Sequence, residues 1–206
     1  PEGKRFGFFP SFSLGWIPTN EAFFPNNDVL TFLKFRGSYG EVGNDKIGGA
    51  RYLYIEAPYT LTTDRYRQVI FGESGSNMTG YPIYQEGRLN NPNVTWERAR
   101  KWNVGAEIKF FENKLSLVAD YFEEKRDNIL WYLNTVPETV AAELPPANIG
   151  KVENYGFEIQ AAFSDGIGNF TYWIDGAYSF ARNKIIYQDE SQRAHEWMRR
   201  TGRPID

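Results

Sequence analysis

Cysteine is absent from the 206 residues. That excludes a disulfide scaffold, a thiolate zinc site and thiol catalysis. Histidine occurs once, at His195 in a polar stretch. With no second imidazole and no thiol, a zinc site is unsupported, and His195 reads as an exposed loop residue. Positive charge is not in excess either. The 23 Lys and Arg stand against 26 Asp and Glu, a net charge of −3, which leaves no electrostatic footprint for nucleic acid. No apolar run reaches the roughly 18 residues that a membrane-crossing helix needs. The mean hydropathy of −0.54 does not exclude a membrane β-barrel, whose strands alternate and whose loops are polar.

What is abundant is aromatic. Phe, Tyr and Trp make up 17% of the chain, with 16 Phe and 13 Tyr, beside 19 Gly. Such a composition suits a β-rich protein, a barrel with aromatic girdles included. The organising stretch is Trp102 to Trp131. Trp102, Val104, Ala106, Ile108 and Phe110 alternate with Asn103, Gly105, Glu107 and Lys109, a period of two that places one apolar and one polar face on a strand. Glu112, Asn113 and Lys114 form a tight turn. Leu115, Leu117, Ala119 and Tyr121 then carry the next apolar face, opposite Ser116, Val118, Asp120 and Phe122.

The same unit recurs along the chain. Phe6–Ile17 alternates, with Pro10 predicting an irregular pairing position because proline cannot donate to a ladder. Phe32–Gly40 sets Leu33, Phe35 and Tyr39 against Lys34, Arg36 and Ser38. Tyr155–Phe163 sets Phe157 and Ile159 against Glu158 and Gln160. Phe170–Phe180 sets Ile174 and Tyr178 against Asp175 and Ser179. Asp165–Asn169 has turn composition. The stretch 41–100 reads as a long irregular connection, with short strands expected at Tyr52–Ile55 and Tyr66–Phe71.

Six principal strands result, joined by short connections near 18–29, 112–114 and 164–169 and by long ones at 41–100, 134–148 and from 188 onward. Short turns at one end and long loops at the other are the pattern of an outer-membrane barrel. In a barrel, Lys34, Arg36, Glu107, Lys109, Asp120, Glu158, Gln160 and Asp175 would line the lumen. Val104, Ile108, Phe110, Leu117, Phe157, Ile159 and Ile174 would meet lipid. Two other architectures fit less well. A soluble β-sandwich binding carbohydrate through aromatic loops would pack its apolar faces across two sheets. A β-rich hydrolase would need carboxylates converging in one cleft. The adjacent acids Glu123-Glu124, Glu41/Asp45 and Asp189-Glu190 read instead as solvated strand ends or loops.

Several stretches carry a resemblance. Arg5-Phe6-Gly7-Phe8-Phe9-Pro10-Ser11-Phe12-Ser13-Leu14-Gly15-Trp16, Leu33–Asn44, Asn91-Pro92-Asn93-Val94-Thr95-Trp96-Glu97, Asn103-Val104-Gly105, Asp120-Tyr121-Phe122 and Asn148–Glu158 resemble, in order, the SusC/RagA family of TonB-dependent outer-membrane transporters. The resemblance implies an all-β antiparallel meander, part of a roughly 22-stranded transmembrane β-barrel with long extracellular loops. It also implies import of oligosaccharides or peptides, energy from TonB, and a SusD-like surface lipoprotein as lid. No enzyme activity and no cofactor are implied. The chain opens at once into a strand-like pattern and closes on Gly202–Asp206, which reads as the middle of a loop, so the expectation is a partial barrel domain spanning 1–206, without the family's plug domain and TonB box.

Overall fold

The computed structural model of the chain describes residues 3–4, 6–25, 27–45, 52–56, 59–62, 64, 67–72, 78–137 and 144–205. In chain order the strands are β1 (Ser11–Trp16), β2 (Leu30–Asn44), β3 (Tyr59–Leu61), β4 (Gln68–Phe71), β5 (Thr79–Pro82), β6 (Tyr84–Glu86), β7 (Glu97–Phe110), β8 (Leu115–Trp131), β9 (Ala147–Ile167) and β10 (Phe170–Tyr187). Six of them form one antiparallel sheet in the order β1-β2-β7-β8-β9-β10, while β3 with β6 and β4 with β5 make two small hairpins. The six are those expected from alternation. Among the described residues β1 and β10 do not pair with each other, so the sheet is open. Among the described residues no helix is long and apolar enough to cross a membrane.

Neighbouring strands keep one register over long distances. Leu33 faces Ile108, Ile108 faces Leu117 and Leu117 faces Ala161. Because side chains alternate and paired residues share a face, this register carries the apolar set of each strand onto a single side of the sheet. Among the described residues no second layer covers the middle of that side. Val104 is 54% exposed, Ile159 45% and Ile174 69%. The buried hydrophobic residues among those described are Leu53, Val94, Ala99 and Ile185, none of them in the middle of the apolar face. The sheet is a single layer and lacks the two-sheet packing that a sandwich requires.

β9 and β10 run further than alternation suggested, whereas the strand expected over Phe6–Ile17 is shorter, running only over Ser11–Trp16. β9 has 21 residues and β10 has 18, since ladder bonding continues where the apolar alternation lapses. The turn expected at Asp165–Asn169 contracts to Gly168-Asn169, with Gly168 at φ 64° and Ile167 paired to Phe170. The other hairpin turn begins one residue early. Phe111, Glu112 and Asn113 all take positive φ, and Lys114 N donates to Phe111 O at 3.1 Å. The sheet begins its pairing at Ser11, just after Pro10, whose carbonyl accepts from Glu41 N at 2.9 Å. The strand expected at Tyr52–Ile55 is a turn instead, with Tyr52 at φ 60° and Ile55 N bonded to Tyr52 O. The strand expected from Tyr66 begins at Gln68, and Tyr66 itself lies outside the described residues.

Candidate functional site

The residues expected to line an interior lie on one face of the sheet. Register places Lys34 opposite Glu107, and Arg36 opposite Gly105. Gly105 stands opposite Asp120, Asp120 opposite Glu158, Glu158 opposite Ser179, and Asp175 opposite Ala162. Lys109 and Gln160 fall on this same face. Val104, Ile108, Phe110, Leu117, Phe157, Ile159 and Ile174 fall on the other.

The charged face is organised by pairing within the wall. Arg36 donates through Nε to Asp120 Oδ1 at 3.2 Å and through Nη2 to Asp120 Oδ2, a two-point contact that fixes both side chains. The partners sit on β2 and β8, with β7 between them, and Gly105 makes the reach feasible. A Cβ there would stand 2.8 Å from Arg36 Nε and 3.0 Å from Asp120 Cγ. Lys109 Nζ lies 3.5 Å from Glu107 Oε1 and 5.2 Å from the Phe32 ring centre. Gln160 and Asp175 stand apart, opposite Val118 with Ala177 and opposite Ala162. The charged face is therefore rich in acids and bases, several of which neutralise one another.

The apolar face has a layered composition along every strand. Its middle is aliphatic: Val104, Ile108, Leu117, Ile159 and Ala161. Aromatics bound it at both ends. Toward the long connections, Phe12 meets Tyr39 at 5.7 Å between ring centres, Trp102 meets Tyr121 at 5.2 Å, and Phe157 meets Phe180 at 5.7 Å. Toward the short turns, Trp16 meets Phe35 at 6.3 Å and Phe163 meets Tyr172 at 6.1 Å. Beyond the first aromatic row the same face becomes ionic. Arg98 pairs with Glu41 at 3.4 Å, Arg100 with Asp127, and Lys125 with Glu123 at the strand ends.

At the end carrying the long connections, two carboxylates that sequence reading left as solvated acids serve as staples. Asp189 accepts the N–H of Asn134 at 2.6 Å, and the N–H and hydroxyl of Thr135 at 2.9 and 2.8 Å. These bonds, led by the Thr135 N–H, hold its carboxyl below the ordinary range. Glu190 accepts the N–H of Thr201 at 3.0 Å and of Arg200 at 2.9 Å, closing the neck of the 191–199 loop. Those donors bring its pKa down to about 2. No sequence pattern marks this role, because the donors are backbone groups ten and eleven residues away. The loop displays His195 stacked on Trp197, 5.9 Å between rings. Adjacent Glu123 and Glu124 point to opposite faces, as neighbours on a strand must. Among the described residues, no cluster of three or more His, Cys, Asp or Glu is arranged to hold a metal.

Comparison with known proteins agrees with this geometry. The family model described as TonB dependent receptor-like, beta-barrel matches residues 2–206. TonB-dependent receptor P3 of Formosa agariphila is 28% identical over 183 residues, covering 89% of this chain and 17% of that protein. TonB-dependent receptor SusC of Bacteroides thetaiotaomicron is 30% identical over 155 residues, covering 75% of this chain and 15% of its own length. Among solved structures, the RagAB peptide importer in its closed-closed state superposes with a TM-score of 0.67 at 19% identity, over 89% of this chain and 18% of that one. The chain thus spans about a sixth of the length of the curated relatives it matches.

Proposed function

Because the chain belongs to the TonB-dependent receptor-like β-barrel family, in its SusC/RagA-like form, we propose that it forms part of the wall of an outer-membrane nutrient importer. The observation that carries this reading is the exposed, aromatic-bounded apolar face of a single-layer sheet. In water, so large an unpartnered apolar surface marks an interaction site or a liability; in a bilayer it is the solvated face.

The dimensions support the reading. From Trp102 to Phe110 the strand rises about 26 Å at about 3.3 Å per residue. Tilted by about 40°, that is about 20 Å of height, close to the apolar belt of roughly 25 Å in outer-membrane barrels. In this reading Val104, Ile108, Phe110, Leu117, Phe157, Ile159 and Ile174 meet lipid. Lys34, Arg36, Glu107, Lys109, Asp120, Glu158, Gln160 and Asp175 face the lumen, where the Arg36–Asp120 pair braces the wall and the other groups meet solvent or a plug. The short turns lie on the periplasmic side and the long connections outside. A bilayer-crossing strand needs only about 9–11 residues, so β9 and β10 project well beyond the membrane on the outer side.

The nutrient in this proposal is an oligosaccharide or a peptide, taken up with TonB-derived energy beneath a SusD-like lipoprotein lid. The 206 residues form one partial barrel domain, and the plug domain and TonB box lie outside them. The test uses the full-length protein, expressed with its signal peptide in a Gram-negative host. An outer-membrane species that migrates faster unheated than boiled, and that co-purifies with a surface lipoprotein, supports the importer. A soluble monomer that unfolds cooperatively in water would sink it.

A further inference from the structure

Beyond the aromatic row, the apolar face divides into two halves of different charge. Over β2, β7 and β8 the cations are closed: Arg98 pairs with Glu41, Arg100 with Asp127 and Lys125 with Glu123. At β10 they are open. Alternation carries Arg182 and Lys184 onto the side of Tyr178 and Phe180, opposite Tyr155 and Glu153. Arg199, Arg200 and Arg203 follow in the segment that returns to this strand. All five are exposed, and none makes an ion pair among the described residues. Two carboxylates without an ion pair lie at the same corner, Glu153 opposite Lys184 and Glu196 in the loop.

The returning segment is fixed to the strand. Gly202, at φ 91°, donates its N–H to Ile185 O at 2.7 Å, and Ile185 N donates to Arg203 O at 2.8 Å. The edge of β10 is therefore already paired at this height. Glu190 holds the same turn through the N–H groups of Arg200 and Thr201. Between strand and segment lies a recess of about 400 Å³, lined by Lys184, Ile186, Glu196, Arg199 and Thr201. Arg182 folds back toward the aromatic row, its guanidinium 5.8 Å from the Phe180 ring centre. At about 3.3 Å per residue and a tilt of about 40°, Arg182 and Lys184 stand about 5 and 10 Å above Phe180. A headgroup layer extends roughly 5–8 Å beyond the hydrocarbon, within reach of long cationic side chains that snorkel.

We propose that this corner holds the phosphate of an outer-leaflet lipid, an inference that rests on the importer reading above. Lys184 and Arg199 meet the phosphate at the recess, and Arg182 meets it from the membrane side. The acyl chains lie along exposed Phe180, Tyr178 and Ile174. Five cations against two carboxylates leave an excess of three, which selects an anion. A guanidinium and an ammonium on one phosphate make charge-assisted bonds of the stronger kind, and basic clusters beside an apolar belt recognise anionic headgroups. The apolar surface directly beneath distinguishes a lipid from a free phosphate.

The test is native mass spectrometry of the full-length protein in neutral detergent. The probes are bisphosphorylated lipid A, the same lipid dephosphorylated, and dioleoyl phosphatidylcholine. The expected result is retention of the phosphorylated lipid in preference to the other two. Lys184→Gln with Arg199→Gln should weaken that retention about 25-fold, roughly fivefold for each cation removed. Both side chains are exposed and unpaired, so the variant should keep its unheated-gel mobility. Arg182→Gln provides an independent variant, with an expected loss of about fivefold. Arg98→Gln with Arg100→Gln removes the same charge from the closed half. It lies three strands from β10, about 14 Å and beyond the screening length, and should change retention less than about twofold. Equal losses from the two double variants would mean diffuse charge and overturn the site. So would equal retention of all three lipids, no retention of any, or indifference to Lys184, Arg199 and Arg182. Displacement of the lipid by an equal concentration of inorganic phosphate would show a phosphate site without a lipid. The importer reading fails separately, if wild-type protein does not fractionate with the outer membrane.

Discussion

A methyl group at position 105 would lie 2.8 Å from Arg36 Nε, inside the space that lets this side chain cross β7 to Asp120. Gly105→Ala should therefore destabilise the folded barrel by about 1–3 kcal/mol, the usual scale of overpacking. Gly37→Ala is the matched control. It sits on the apolar face, where the nearest atom to an added Cβ is Asn103 O at 3.9 Å, and it should shift stability by less than about 0.5 kcal/mol. Urea midpoints in vesicles would separate the two. Glu190 offers a pH test. Its carboxyl has a pKa of about 2 when folded, against an ordinary 4.5. The lowered value means that its contribution is fully present above pH 4.5 and is lost as the pH falls toward 2. Hydrogen exchange at Arg200 and Thr201 should report the neck of the 191–199 loop opening across that window. At pH 8, Glu190→Ala should open it at once, with trypsin cutting at Arg193 about tenfold faster or more, as expected for lost carboxylate hydrogen bonds. Equal cleavage of wild type and variant would remove the staple role.

The β7–β8 hairpin shows how an element sorts its residues by face. Ile108 and Glu107 are adjacent in sequence and opposite in space, with Ile108 facing Leu117 and Glu107 facing Val118. In the proposed orientation Ile108→Lys places a charge in lipid near the midplane, which costs roughly 2–4 kcal/mol. Glu107→Lys loses a contact with Lys109 but stays in the aqueous lumen, so the folded fraction on unheated gels should fall far less. Equal damage from the two would mean that the faces are reversed or that neither meets lipid. The element scale also shows where alternation stops being informative. Leu33, Phe35 and Tyr39 announce the middle of β2, yet the strand continues to Asn44 through paired Glu41 and Arg98. Ion pairs on both faces continue a ladder without any hydrophobic period to mark it.

For the molecule as a whole, an open six-stranded sheet whose edge strands β1 and β10 pair with no further strand among the described residues is not a viable object in a bilayer, because unpaired backbone groups in hydrocarbon cost several kcal/mol each. The 206 residues refolded alone into vesicles should give no heat-modifiable band and no ion conductance. The full-length chain should give the former. A stable, closed pore from this stretch alone would overturn the open-sheet architecture.

The sequence by itself determined which side chains share a face. Alternation is a local property of an extended chain, so the separation of Val104, Ile108 and Ile159 from Glu107, Asp120 and Glu158 needed no knowledge of which strand lies beside which. The six strands and the aromatic ends were legible for the same reason, whereas the irregular pairing expected at Pro10 is instead the start of β1, at Ser11. Tertiary structure alone decided what those faces do. Arg36 and Asp120 are 84 positions apart and meet only because register lays Gly105 between them. Asp189 and Glu190 look like surface acids until backbone donors from distant turns converge on them. These are all contacts between residues remote in the chain, set by register and bulge geometry, which no window of sequence contains.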